Sequence, residues 1–266
     1  MEVTVVGRRV FGHTGGRAFD PARPTVVFLH GAAMGHMVWA LQVRYVAHHG
    51  RNALALDLAG MGRSEGPVLD SIEAYGDWLN QVLDAVGVDR AVLVGHSMGA
   101  LIALEAAAQA AAQGSNRVTG LALLGISYPM RVNPTMLEAA RQNDHLAVEM
   151  MHDWAHGRAA HVGGFKQPGL WMIGVNMRIV EHAAPDVLYH CFRICNDYQG
   201  GTAAAAAVRC PVRFILGDRD LMAPTKAAAK LGDGIADSEM VILPDCGHMM
   251  MAERPAETLA ALKSFV

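Results

Sequence analysis

Three stretches of this 266-residue chain carry side chains that together can attack a carbonyl carbon. Gly95-His96-Ser97-Met98-Gly99 sets a serine between two glycines, Gly217-Asp218-Arg219-Asp220 offers two carboxylates, and Cys246-Gly247-His248 offers an imidazole. A serine hydroxyl is a weak nucleophile near neutral pH. It needs a base within hydrogen-bond reach, and the base needs a carboxylate to orient it. One serine, one histidine and either Asp218 or Asp220 would complete such a set, provided the fold brings them to one place.

The flanking elements are of the kind that would do so. Ala91-Val92-Leu93-Val94 reads as a buried strand, and Ala100-Leu101-Ile102-Ala103-Leu104-Glu105-Ala106 as a helix. Between them, Gly-x-Ser-x-Gly makes a tight, strained turn that points the hydroxyl away from the chain. A side chain at Gly95 or Gly99 would crowd the crossing of strand and helix. Upstream, Val3–Val6 and Arg9–Gly12 suggest a hairpin, and Thr25–His30 and Ala53–Asp57 suggest buried strands. Val38 to His49 reads as a helix stopped by Gly50. A second runs from an N-cap at Asp70, with Glu73 three residues on, to Gly87. Val118–Leu124 is a further strand. Strands apolar throughout and alternating with helices indicate a mostly parallel α/β sheet covered on both faces.

From Ser127 the alternation stops. Pro134 to His156 reads as one long helix broken at Gly157. Gly163-Gly164 and Pro168-Gly169 mark loops, and Leu170–His182, Pro185–Tyr198 and Ala203–Ala207 continue the helical pattern. The rhythm then returns as strand Val212–Leu216, helix Thr225–Leu231, strand Glu239–Leu243 and helix Ala256–Phe265. The domain reading is a core of residues 1–126 and 208–266 with an all-helical cap, 127–207, inserted into it. Asp220 and His248 follow strands, as Ser97 does, and loops leaving the carboxyl ends of parallel strands converge on one rim.

Bulk properties narrow the partners. Hydrophobic residues make up 52% and charged residues 18%, the balance of a packed globular protein. A net charge of −3 with 6% aromatics gives no electrostatic or stacking case for nucleic acid. The N-terminus lacks a secretory pattern, and the low-charge stretch Gly99–Ala112 is too short to span a membrane. Cys191, Cys195, Cys210 and Cys246 have no framework spacing and read as reduced thiols, which points to the cytoplasm. A homo-oligomer is compatible with all of this.

The order Ser97, Asp220, His248, with the turn around Ser97, resembles the α/β-hydrolase superfamily over essentially the whole chain. Phe28-Leu29-His30-Gly31, Asp57-Leu58-Ala59-Gly60-Met61-Gly62-Arg63-Ser64, Gly217-Asp218-Arg219-Asp220 and Gly247-His248 with Glu253-Arg254-Pro255 extend the likeness. The resemblance implies that Asp220 is the acid and Asp218 a support for its turn. It also implies an oxyanion hole from the N–H groups of Met98 and Ala32, and a structural rather than basic role for His30. Its expected activity is a cofactor-independent serine hydrolase acting on a carboxylic ester of a small, largely apolar substrate. Thioesterases, lactonases, carbon–carbon bond hydrolases, acyltransferases and slow-turnover receptors share the scaffold. Epoxide hydrolases and haloalkane dehalogenases are disfavoured, because they carry Asp where this chain has Ser97.

Substrate contacts are expected at Gly31, Met98, Met249, Trp154 and Trp171. Met150, Met151, Met172 and Met177 are candidates to help roof an apolar pocket, or to form ordinary core. Gly60-x-Gly62 lacks the third glycine of a dinucleotide loop. His152 and His156 have the i,i+4 spacing of a zinc motif but no complete ligand set, so no metal is expected.

Overall fold

A computed structural model describes residues 1–163 and 171–266. Eight strands form one sheet in the order β1-β2-β4-β3-β5-β6-β7-β8. The first two, β1 (Glu2–Val5) and β2 (Arg8–His13), form an antiparallel hairpin, and β2 meets β4 (Asn52–Leu56) antiparallel as well. Every later pairing is parallel: β4 with β3 (Thr25–Leu29), then β5 (Ala91–His96), β6 (Val118–Leu124), β7 (Val212–Gly217) and β8 (Ser238–Leu243). Residues of β3, β4, β5 and β7 are buried along their whole length, which is why they read as mainly apolar runs, with Thr25, Asn52, His96 and Arg213 as the polar or charged exceptions. Edge strand β8 is mostly exposed, with Ser238 and Glu239 at its start and the apolar side chains of Met240 and Ile242 also open to solvent.

Helices α1 (Ala40–Ala47), α2 (Ile72–Val86) and α3 (Met98–Ala112) cover the first half of the sheet. On α2, Ile72, Tyr75, Leu79, Val82 and Leu83 recur at helical spacing and are all buried. Fully burying one such Leu or Ile stabilises the fold by roughly 1.5–3 kcal/mol. Gly87 ends the helix in a left-handed conformation, φ 75°. Its N-cap is Ser71 rather than Asp70: the Ser71 hydroxyl accepts the Ala74 N–H at 3.1 Å. The expected Val38–His49 helix opens as a 3₁₀ turn, His36–Trp39, before becoming α1.

Between β6 and β7 lie α4 (Pro134–Arg141), α5 (Leu146–Ala155), α6 (Arg158–His161), α7 (Met172–Glu181), α8 (Val187–Asp197) and α9 (Gly201–Ala207). The single helix expected over Pro134–His156 is therefore two. Asn143 turns left-handed at φ 54°, its N–H donates to the Ala140 carbonyl, and the Asp144 N–H donates to Ala139. That is a Schellman ending built on asparagine instead of glycine. Gly164, Pro168, Gly169 and Leu170, where loops and a helix start were expected, lie outside the described residues. Helices α10 (Thr225–Gly232), α11 (Met250–Glu253) and α12 (Pro255–Lys263) complete the chain. Among the described residues, no helix is long and apolar enough to cross a membrane.

Candidate active site

Ser97 ends β5 and caps the N-terminus of α3 with backbone angles φ 53° and ψ −118°. A non-glycine residue held there costs roughly 1–3 kcal/mol and persists only where its surroundings fix it. The fixing is steric. A Cβ on Gly99 would lie 2.5 Å from the Leu29 carbonyl oxygen, and one on Gly95 would lie 2.6 Å from the Ala100 backbone. Strand and helix cross too closely for either glycine to be anything larger. The Ala100 and Leu101 N–H groups of the first turn of α3 donate to the Ser97 carbonyl, at 2.9 and 3.3 Å, which closes the turn behind the hydroxyl.

Asp220 and His248 meet beside this turn. The His248 Nδ1–H donates to Asp220 Oδ2 at 2.7 Å, with both residues buried. The other carboxylate oxygen, Oδ1, accepts the Met222 and Ala223 N–H groups, each at 2.8 Å, so the acid cannot rotate away. Holding the proton on Nδ1 leaves Nε2 as the basic nitrogen. Asp218 bonds elsewhere: its Oδ1 accepts the Cys246 N–H at 3.2 Å and ties the β7 turn to the histidine loop.

The histidine's backbone is held from two sides. Its N–H donates to the Ala155 carbonyl at 2.8 Å, and its own carbonyl accepts His96 Nε2–H at 3.0 Å. The rings of His96 and His248 lie 4.7 Å apart. Burial and the neighbouring His248 push the His96 pKa well down, so it is a neutral donor. The sequence motif assigns His96 no role, although it stands one residue before the serine. Gly125, just past β6, escaped notice too. At φ 56°, a Cβ there would lie 2.9 Å from the His248 ring.

Ser97, His248 and Ala32 line a cavity of about 350 Å³. Its walls are Met130, Val132, Met136, Trp154, Phe192, Leu221 and Met222, with Arg131 near the edge. Most of these were not singled out from sequence. Leu221 and Met222 directly follow the acid, and Phe192 sits one helical step from Cys195, also on the wall. Of the expected substrate contacts, Trp154 lines the cavity. Gly31 instead packs against the nucleophile turn, where a Cβ would lie 3.4 Å from Ser97 Cβ. Met98 and Met249 are fully buried side chains and do not reach the cavity wall. Trp171 is 68% exposed and lies on a separate groove of about 780 Å³. It stands where α7 faces the loop after β3 and is not among the residues lining the serine cavity. Met151 and Met172 are core, and Met150 and Met177 line an open hollow of about 420 Å³ between α5 and α7.

The other histidines singled out from the sequence, His30, His152 and His156, have structural partners. His30 Nδ1–H donates to the Gly31 carbonyl at 2.8 Å, while Nε2 accepts the Leu58 N–H at 3.1 Å. Burial lowers its pKa, and with both nitrogens engaged it is a strut under the Gly31–Ala32 loop. His152 and His156 donate to carbonyls one turn back, at Val148 and His152. Gly60 and Gly62 take φ 75° and 56°, and Gly62 packs on the Asp57 carboxylate.

Known proteins are similar to this chain over most of its length. The family model described as "Alpha/beta hydrolase family" matches residues 26–262. A pimeloyl-[acyl-carrier protein] methyl ester esterase from Aromatoleum aromaticum is 28% identical over 259 residues, covering 92% of this chain and 98% of its own. Among solved structures, Est816, described as an N-acyl homoserine lactone degrading enzyme, superposes with a TM-score of 0.80 at 25% identity over 100% of both chains. The enol-lactonase from Burkholderia xenovorans LB400 reaches a TM-score of 0.84 at 20% identity, over 100% of this chain and 99% of that one.

Proposed function

The chain belongs to the alpha/beta hydrolase family, and we propose that it is a serine hydrolase cleaving a carboxylic ester of a small, largely apolar substrate through an acyl-enzyme. The observation that carries the reading is the Asp220–His248 bond at 2.7 Å, on the same cavity as a serine held in a strained turn. His248 Nε2 takes the Ser97 proton as Oγ attacks the ester carbon. The N–H groups of Met98 and Ala32 receive the negative charge that forms on the carbonyl oxygen. Collapse of that intermediate expels the alcohol, which takes the proton back from Nε2. Water, activated by the same nitrogen, then frees the acid and restores Ser97.

The apolar walls support an uncharged acyl or alcohol group inside, and 350 Å³ limits it to a small one. The helices between β6 and β7 supply Trp154, Met136 and Phe192 to those walls, which supports their role as a cap over the serine. A lactone, an internal ester, is the second reading, favoured by the full-length likeness to Est816 at 25% identity. Four buried, unpaired thiols support a reducing compartment such as the cytoplasm.

The deciding experiment replaces Ser97 by alanine and assays short-chain nitrophenyl esters alongside small lactones. Turnover is expected to fall by about 10⁴-fold or more with the thermal midpoint unchanged. Labelling by a fluorophosphonate, read by intact mass, should disappear in the same variant. Undiminished turnover in Ser97→Ala would sink the proposal.

A further inference from the structure

Glu253 is a buried carboxylate that the reaction does not use. It ends α11, and one of its oxygens, Oε2, accepts two backbone N–H groups: Gly157 at 2.8 Å and Gly247 at 3.1 Å. Gly247 immediately precedes His248. Gly157 lies two residues past the end of α5, the helix that carries Trp154. The same two segments meet again at the Ala155 carbonyl, which accepts the N–H groups of His248 and Met249 at 2.8 and 3.1 Å. Residues 155–157 and 247–249 are thus laced together by four hydrogen bonds, two of them through one carboxylate oxygen.

The slot is built for that oxygen. A Cβ on Gly247 would lie 2.6 Å from Gly157 N and 2.8 Å from Glu253 Oε1; one on Gly157 would lie 3.0 Å from Oε2. Gly247 has no room for a side chain between the two backbones, and a Cβ at Gly157 would press on the carboxylate. The second oxygen, Oε1, is buried without a hydrogen-bond partner. Burial pushes the Glu253 carboxyl up against the pull of its N–H donors. A carboxylate enclosed with one oxygen bare is a poor choice for stability alone, because its desolvation is only partly repaid. Such a departure from good local chemistry is expected where position matters more than stability.

We propose that Glu253 is a positioning residue for His248, clamping the loop that carries the imidazole to the end of the helix that carries Trp154. The clamp rests on the hydrolase reading above only for its consequence in catalysis. Through it, the base and the cavity wall share one rigid mount, so the imidazole stays in register with both Ser97 and bound ester. A displacement of about 1 Å at a reacting group can cost on the order of 10²-fold in rate.

The test compares Glu253→Gln, Glu253→Ala and Glu253→Asp in the full chain. Glutamine keeps a carbonyl oxygen able to accept both N–H groups, and is expected to hold kcat within about 5-fold. Alanine removes the clamp, and kcat is expected to fall by about 10²-fold while KM shifts little. Aspartate keeps the charge but withdraws the oxygen by one methylene; a fall of about 10-fold is expected, and it supplies the answer if the alanine variant does not fold.

The second readout needs no substrate. It is the far-downfield proton resonance of His248 Nδ1–H, assigned by its loss in His248→Ala. Glu253→Ala or Glu253→Asp should shift or broaden it, and Glu253→Gln should preserve it. Wild-type kcat and an unmoved resonance in folded Glu253→Ala or Glu253→Asp would overturn the clamp. So would a glutamine variant as impaired as the alanine one, since the bond rather than the charge would then be irrelevant. If the wild-type protein hydrolyses no ester, the functional reading fails, and the resonance decides the clamp on its own.

Discussion

Two histidine–aspartate pairs stand at the carboxyl edge of the sheet, one after β7 and one after β4, and their geometry is nearly the same. His248 Nδ1 meets Asp220 at 2.7 Å; His36 Nδ1 meets Asp57 at 2.9 Å. Both aspartates are buried, and both also hold backbone N–H groups: Met222 and Ala223 for Asp220, His36 and Arg63 for Asp57. The difference lies on the far side of each imidazole. His248 shares its cavity with Ser97. His36 looks toward Phe11 and His13, 5.0 and 5.5 Å away ring to ring, on the larger groove whose lining holds no serine. A hydrogen-bonded His–Asp couple is therefore no signature of catalysis. The cavity shared with Ser97 supports the proposed chemistry for one pair, while the other braces the turn after β4.

Asparagine in place of each aspartate breaks this comparison most sharply. Asp220→Asn is expected to lower kcat on a nitrophenyl ester by about 10⁴-fold, because the amide can hold His248 in the wrong tautomer. Asp57→Asn should change kcat by no more than about 3-fold, since its histidine meets no nucleophile. Comparable losses in the two variants would mean that the second pair also serves the reaction.

The next effect is on stability. Asparagine at 57 offers one oxygen and one NH₂ to a site where every neighbour donates: His36 N–H, His36 Nδ1–H and Arg63 N–H. Two donors then face each other in a buried place, at a cost of about 1–3 kcal/mol, to be read from urea unfolding. The same pair sets a pH dependence. Burial alone would raise the Asp57 carboxyl, but its hydrogen bonds from His36 and Arg63 outweigh that and hold it below the ordinary value of 3.8. A folded-state pKa depressed in this way gives stability that is fully present above the unfolded value and is lost as pH falls through the folded one. The stability gap between wild type and Asp57→Asn should therefore narrow below about pH 4. A gap that stays constant down to acid unfolding would show that charge on Asp57 contributes nothing.

The sheet and the nucleophile turn were legible because each rests on local rules. Apolar runs such as Val26–Leu29 can only be buried strands, and Gly95 and Gly99 mark a backbone crossing that excludes a side chain. Strand ends sharing one rim pointed to His248 and to the carboxylates Asp218 and Asp220, and the family resemblance chose Asp220 between the two. The cavity was not legible, because its walls come from loops and helices whose relative placement no single stretch encodes. Met130, Phe192 and Leu221 are neighbours around Ser97 yet lie up to ninety residues apart in sequence. Trp171 and Trp154 look equally suited to a roof until α5 and α7 are placed. The two roles of asparagine and serine at helix ends, Asn143 and Ser71, were missed for a smaller reason. Ser71 sits beside Asp70, which satisfies the same N-cap rule on paper, and Asn143 ends its helix where the usual glycine is absent.

The two tryptophans give the smallest effect and the finest test. Trp154 lines the serine cavity, so Trp154→Ala should raise KM for a butyrate ester by about 10-fold, the equivalent of about 1.4 kcal/mol of lost apolar contact. Trp171 stands on the groove that His36 and Asp57 also line, with most of its surface already in water. Trp171→Ala gives up little burial, and KM should stay within about 2-fold of wild type. Should the Trp171 variant raise KM as much as the Trp154 variant, the larger groove would belong to the substrate's path. His36 and Asp57 would then line a route to Ser97, and the separation of one pair for chemistry from one for bracing would no longer hold.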